Sequence, residues 1–136
     1  MTGDARQFAL EIDREWLAVQ EEIGEKIAFI GLEGLRRVVN RSPVDKGRFK
    51  GNWSLTIGVI DTSTTEQVDP SGASTISAGA TAVSAYAAYE GFPVIHVQNN
   101  LPYGEPLEDG SSTQAPGGMV GLTVAELAAI WDAETL

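Results

Sequence analysis

The chain has 136 residues, 43% of them apolar and 21% charged, with nine Lys or Arg, nineteen Asp or Glu and a net charge of −10. This length allows one domain with a modest core and excludes most multidomain enzymes, and the composition is that of a folded acidic protein. The absence of cysteine excludes disulfides and thiolate chemistry, and a single histidine leaves no His-rich metal site, so we expect no cofactor and no metal.

The charges are distributed unevenly along the chain. All nine cations fall in the first 50 residues, where nine acids balance them, and the remaining 86 residues hold ten acids and no cation. Six of the cations lie between residues 36 and 50. Such polarity suits copies that meet head to tail, or a protein that turns one sign of charge toward a partner. A surface that is acidic only for solubility is the simpler alternative.

The first residues contain no apolar segment typical of a signal peptide, and no window of about 18 residues is apolar enough to span a membrane. We therefore expect the protein to be made in a cytoplasm and to act there or in an assembly built there. The net charge of −10 also argues against sequence-specific DNA binding, because phosphate repels an acidic surface.

Residues 4–40 predict one long amphipathic helix. Apolar positions recur every three or four residues in an eleven-residue repeat close to the period of a straight helix. An unbroken helix would span about 50 Å, longer than so small a domain, so part of its apolar stripe is expected to face another element or subunit. Glycines at positions 24, 31 and 34 indicate either a bend or the close approach of a neighbour. The stripe consists of Phe8, Ile12, Trp16, Val19, Ile23, Ile27, Ile30, Gly34 and Val38.

The next part of the chain predicts a strand and a second helix. Pro43 ends the first helix, because the residue before a proline is disfavoured in the α region. Residues 52–61 alternate between apolar and polar side chains, which is typical of a strand. A polar, exposed loop is expected over residues 62–72, and the alanine-rich residues 74–90 predict a helix that Gly91 stops.

The remaining residues predict shorter elements. Residues 92–97 favour a second strand, residues 103–109 a short helical turn before a glycine, and residues 119–122 a short strand. Thr123 is expected to cap a last helix over residues 124–134, with Glu126 completing a capping box. The predicted fold is α+β and forms a single domain over residues 1–136: a long N-terminal amphipathic helix packed on a small, mainly antiparallel sheet, with one or two further helices.

Catalytic patterns are scarce. Glu105, Glu108 and Asp109 form the one tight acidic cluster, which we interpret as a solvated or salt-bridged loop, with an oxygen-ligand cation site as the remaining option. His96 lies in an apolar run and is expected in the core or at an interface. The chain has no nucleophile elbow, phosphate-binding loop or dinucleotide-binding motif, so we expect a protein that is not an enzyme.

Two segments carry residues that packing alone does not require. Residues 42–47 read Ser-Pro-Val-Asp-Lys-Gly and are followed by basic residues and Trp53. Residues 99–103 read Asn-Asn-Leu-Pro-Tyr, residues 107–110 Leu-Glu-Asp-Gly, and residues 112–119 Ser-Thr-Gln-Ala-Pro-Gly-Gly-Met. In this order the strings resemble the tail-completion proteins of tailed bacteriophages, which join head to tail at the neck. Lys46 departs from the family pattern, where Thr or Ser is usual, and Gly104 stands where Ala is common.

The resemblance implies a structural virion protein that forms a ring, hexameric by expectation, between the portal and adaptor proteins of the head and the tail tube. Its expected partners are further copies of itself, the head-completion or adaptor protein, and the tail tube or terminator protein, with DNA only passing through the channel. One hypothesis is that the basic residues 36–50 of one copy meet the acidic residues 105–109 of a neighbour. The candidate interface residues are Arg41, Asp45, Lys46, Arg48, Lys50, Trp53, Tyr103, Glu105, Glu108, Asp109, Gln114 and Met119.

Three alternatives remain open. The chain could be another neck component, such as an adaptor or a head-closure protein. It could be a small acidic enzyme or inhibitor that uses the acidic cluster, which would require a pocket and a carboxyl of raised pKa. A DNA mimic is the third, and it would need acids spaced along one face.

Overall fold

The computed structural model describes residues 2–44, 46–102, 104–110, 112, 114, 115 and 117–133. The predicted α+β fold is confirmed: a long N-terminal helix packs on a two-stranded antiparallel sheet, and further helices surround them. In chain order the elements are α1 (Thr2–Arg41), α2 (Arg48–Gly51), β1 (Trp53–Ile57), α3 (Ala73–Ser84), a 3-10 helix (Tyr86–Ala88), β2 (Ile95–Asn99), α4 (Gly104–Glu108) and α5 (Val120–Ala133).

Helix α1 runs without interruption for 40 residues. Its glycines therefore do not break the helix, and two of them allow neighbours to approach. A β-carbon on Gly31 would lie 2.8 Å from Cδ1 of Ile95, and one on Gly34 would lie 3.2 Å from Cδ1 of Leu127. The sheet and α5 thus pack closely against the second half of α1.

The sheet is smaller than predicted. Strands β1 and β2 pair antiparallel, with Trp53 opposite Asn99 and Ile57 opposite Ile95. The strand predicted over residues 52–61 ends earlier because Gly58 turns the chain with φ 78°, and its N–H donates to the carbonyl oxygen of Val94 at 2.8 Å. The second strand lies at residues 95–99 rather than 92–97.

The second helix is also shorter than predicted. Helix α3 ends at Ser84, and a separate 3-10 helix follows it. The Tyr86 hydroxyl in that segment is buried and donates to the carbonyl oxygen of Pro93 at 2.7 Å. The loop over residues 62–72 is mostly exposed, as expected, but Asp69 is buried and accepts hydrogen bonds from the N–H and hydroxyl of Thr75.

The predicted strand at residues 119–122 is wrong, because α5 already begins at Val120. Thr123 is consequently not an N-cap: it is buried in the helix, and its hydroxyl donates to the carbonyl oxygen of Met119 at 2.7 Å. Glu126 forms no capping box and instead pairs with Arg37 and Arg41 of α1. The short helix α2 was not predicted.

The hydrophobic core lies between the second half of α1, α3, the sheet and the segment that precedes α5. Its largest fully buried side chains are those of Leu35, Met119 and Val39. The complete buried cluster consists of Leu35, Val38, Val39, Phe49, Trp53, Leu55, Leu101, Ala115 and Met119.

Two glycine-to-alanine substitutions should change stability in opposite directions. At Gly24 in α1 a β-carbon would come no closer than 4.0 Å to the Tyr86 ring, so Gly24→Ala should stabilise the fold by about 0.5–1 kcal/mol through helix propensity. At buried Gly79 in α3 it would overlap Cδ2 of Leu35, so Gly79→Ala should cost about 1–3 kcal/mol. Urea unfolding of both variants measures this difference, and equal shifts would contradict the packing described for α3.

Candidate functional site

The two segments that carry the resemblance pack against each other, although about 50 residues separate them. The Val44 N–H donates to Oε1 of Gln114 at 2.8 Å, and Nε2 of Gln114 donates back to the Val44 carbonyl oxygen at 3.0 Å. Asn99 Nδ2 donates to the carbonyl oxygen of Phe49 at 2.8 Å. Gln114 therefore joins the segments within one chain.

Trp53 and Met119 lie where the two segments meet the core. Trp53 is 7% exposed and Met119 1% exposed. The indole Nε1 of Trp53 donates to the Ser42 hydroxyl at 2.7 Å, and that hydroxyl donates to the Val38 carbonyl oxygen at 2.6 Å and lies 3.4 Å from the Met119 sulfur. Because both side chains are buried, their main role is to brace the loop after α1.

Glu108 caps the N-terminus of α5 from outside that helix. Its carboxylate accepts hydrogen bonds from the N–H groups of Met119 and Val120, both at 2.7 Å, and of Gly121 at 2.8 Å. Burial acts to raise the pKa of Glu108, but these three N–H donors outweigh it and the pKa lies below its ordinary value. The carboxylate is thus held ionised at a helix N-terminus, where negative charge is stabilising.

The basic stretch between residues 36 and 50 is largely paired within the chain. Arg37 and Arg41 both pair with Glu126 of α5, with 2.6 Å from Arg37 Nη1 to the carboxylate, and Arg41 Nη1 donates to the Thr123 hydroxyl at 2.9 Å. Arg48 pairs with Glu66 at 2.9 Å. These pairs, and the capping role of Glu108, engage four of the residues in the hypothesised contact between basic residues 36–50 of one copy and acidic residues 105–109 of another. The contact itself stays a prediction.

The other predicted site residues do not come together in one place. Lys46 and Asp109 are exposed, and Lys50 is half-buried. Asp45, Tyr103 and the side chain of Glu105 lie outside the described part of the chain. His96 is half-buried on β2, opposite Thr56.

The first half of α1 extends beyond the rest of the chain. All side chains from residue 3 through residue 19 are exposed, and we call residues 3–22 the projecting half of α1. Six large apolar side chains on it are between 38% and 64% exposed. At 100° per residue around the helix axis, four of the six lie within an arc of about 80° and continue the predicted apolar stripe. These four are Phe8, Ile12, Trp16 and Val19. The six are Phe8, Leu10, Ile12, Trp16, Leu17 and Val19.

Helix α5 covers the same stripe farther along α1. The two helices run antiparallel, since Thr123 contacts Arg41 while the Lys26 Nζ lies 4.0 Å from the centroid of the Trp131 ring. Described α5 ends two residues beyond Trp131, at Ala133, so the described part of α5 does not cover the stripe before about residue 23.

An apolar groove of about 390 Å³ is lined by residues of α1, α5 and the sheet; we call it the α1–α5 groove. Val120, Val124 and Trp131 line it and are each more than 40% exposed. This contribution of α5 was not predicted, although its apolar residues at positions 120, 124, 127 and 131 have helical spacing. The remaining lining residues are Ile27, Ile30, Gly31, Gly34, Val38, Trp53, Ile95, Val97, Thr123 and Leu127.

Within the described ranges, no helix combines the length and apolarity needed to cross a membrane, and no three His, Asp or Glu side chains cluster as metal ligands do. No protein-family model, curated protein or solved structure matches the chain.

Proposed function

We propose that this protein is a non-enzymatic structural protein of a phage virion, which forms a ring at the neck and joins the head to the tail tube. The observation that carries the proposal is the projecting half of α1, whose apolar stripe has no partner within the described chain. A helix of this length with six large exposed apolar side chains is suited to a permanent assembly and not to a free monomer.

The two resembling segments support the proposal in a second way. Their characteristic residues, among them Trp53, Glu108, Gln114 and Met119, hold the fold together, so the likeness concerns residues that specify this architecture. Proteins that share this fold would need the same residue types at these structural positions, in the same order along the chain. The implied partners are further copies of the chain in a hexameric ring, the head-completion or adaptor protein, and the tail tube or terminator protein.

The charge of the molecule is compatible with DNA as passing cargo. The last 86 residues hold ten acids and no cation, and such a surface lowers the affinity for phosphate. Under this proposal the protein is located in the virion, at the junction of neck and tail, after assembly in the cytoplasm of the host bacterium.

The lowered pKa of Glu108 counts against the alternative of a small acidic enzyme. General acid catalysis by a carboxyl group requires a raised pKa in a cleft, whereas this carboxylate is held ionised by three backbone N–H groups. The alternative of another neck component, such as an adaptor or head-closure protein, would use the same apolar helix. The two roles differ in the position of the protein along the axis of the particle.

Deletion of the reading frame from its phage genome tests the proposal. We expect electron microscopy to find filled heads and finished tails that are not joined, because the missing ring prevents their attachment. Expression of the wild-type chain in trans should restore joined particles and serves as the control. Intact, infectious particles from the deletion would overturn the proposal.

A further inference from the structure

We propose that the projecting half of α1 from one copy of the chain lies in the α1–α5 groove of a second copy. This inference rests on the proposed assembly of the protein with itself and assigns the two surfaces that meet.

The projecting half needs a partner for physical reasons. Most helices in proteins gain their stability by packing an apolar face, and the projecting half packs little of its own against the described chain. The four exposed side chains of its stripe leave on the order of 400 Å² of apolar surface in water, within the range of the largest patch of a typical monomer. That area is about half of the roughly 800 Å² that each partner buries in a standard interface.

The α1–α5 groove has the complementary shape and chemistry. Its volume of about 390 Å³ can accept more than one large side chain, and its open side shows Val120, Val124 and Trp131. The groove continues the contact that α5 already makes with the same stripe of α1. A second apolar helix laid there would cover side chains that the single chain leaves exposed.

Charge favours this groove as the docking site. The projecting half carries six carboxylates and two arginines, a net charge of −4. The two helices that wall the groove, residues 26–41 of α1 and 120–133 of α5, together carry four cations and three carboxylates, a net charge of +1. A second cleft of about 650 Å³ lies beside residues 17–28 of α1, but Glu21, Glu25 and Glu90 line it and would repel an acidic helix.

The occupant must come from another copy. Because α1 is one unbroken helix, it carries its projecting half away from the groove of its own chain. The docking helix and the groove are different surfaces of the same molecule, so each copy donates one helix and receives another. Such heterologous contacts close into a ring when the rotation per copy divides the circle.

Disulfide trapping tests the docking directly, because the chain contains no cysteine of its own. Two single variants, Ile12→Cys on the projecting half and Val124→Cys in the groove, are mixed and oxidised. Both positions are exposed, at 48% and 57%, so neither change should disturb the fold. We expect a covalent mixed dimer to form at least about tenfold faster than in the control mixture, since a disulfide needs Cα atoms closer than about 7 Å.

The matched control is Leu10→Cys mixed with Val124→Cys. Leu10 is equally exposed, at 50%, but it lies about 160° around the helix from Ile12. Mixed-dimer formation no faster than in this control would overturn the inference. Preferential disulfides between two copies of Ile12→Cys would also overturn it, because they would indicate that stripes pair with stripes. If the gene deletion gives unjoined particles but no disulfide is trapped, the neck proposal stands and the docking alone is rejected. If the disulfide is trapped but the deletion gives intact particles, the docking stands and the neck proposal is rejected.

Discussion

Replacement of Glu108 by alanine should lower the free energy of unfolding by about 1–3 kcal/mol. The substitution removes the acceptor for three N–H groups at the start of α5, and a lost helix cap costs about 0.5–2 kcal/mol, with a further 0.3–1 kcal/mol from the favourable charge at the helix N-terminus. Chemical denaturation measures the loss. Amide exchange should also become faster at Met119, Val120 and Gly121.

The matched control is Asp109→Ala, which removes a carboxylate from the next residue. Asp109 is exposed, so its replacement should change stability by no more than about 0.5 kcal/mol. If the two variants lose the same stability, the contribution of Glu108 is a general charge effect and the capping described here is wrong.

The stability that Glu108→Ala loses relative to wild type should depend on pH. The folded pKa lies below the ordinary value of 4.5, so the ionised carboxylate contributes stability that is present above that value and is lost as the pH falls through the folded pKa. The difference between wild type and Glu108→Ala should therefore be largest near neutral pH and should shrink in acid. An undiminished difference in strong acid, below the folded pKa, would contradict this expectation.

Replacement of Trp53 by alanine should cost about 3–5 kcal/mol, the usual range for truncating a buried aromatic side chain. The ring packs edge-on against Phe49, with centroids 5.9 Å apart, and its indole N–H is the donor to Ser42. Trp53→Phe keeps most of the apolar contact and loses the hydrogen bond, so it should cost much less than Trp53→Ala. Urea unfolding of the variants measures these losses.

Trp16→Ala is the matched control for the same change. Trp16 is 56% exposed on the projecting half of α1, so its replacement should leave the stability of the isolated chain within about 1 kcal/mol of wild type. If Trp53 served mainly to anchor a partner, Trp53→Ala would behave like Trp16→Ala and keep its stability, and this outcome would reject its role as a brace.

The roles of the charged residues could not be obtained from the sequence because their partners are distant. Arg41 and Glu126 are 85 positions apart, and Arg48 and Glu66 are 18 apart. A cluster of cations in the sequence looks available for an external partner until the fold shows which carboxylates lie beside it. The same is true of Glu108, whose loop position indicated exposure while its carboxylate caps α5.

Local patterns in the sequence determined the elements whose stability depends on their own residues. The eleven-residue apolar repeat predicted α1 and the excess length of its stripe, and alternation predicted the start of β1 at Trp53 within one residue. Only the tertiary structure decided where α5 begins, because its cap comes from Glu108 in another element, and local residues around 119–122 favoured a strand. It also decided which half of the stripe stays uncovered, since that depends on where α5 packs against α1 and not on the repeat itself.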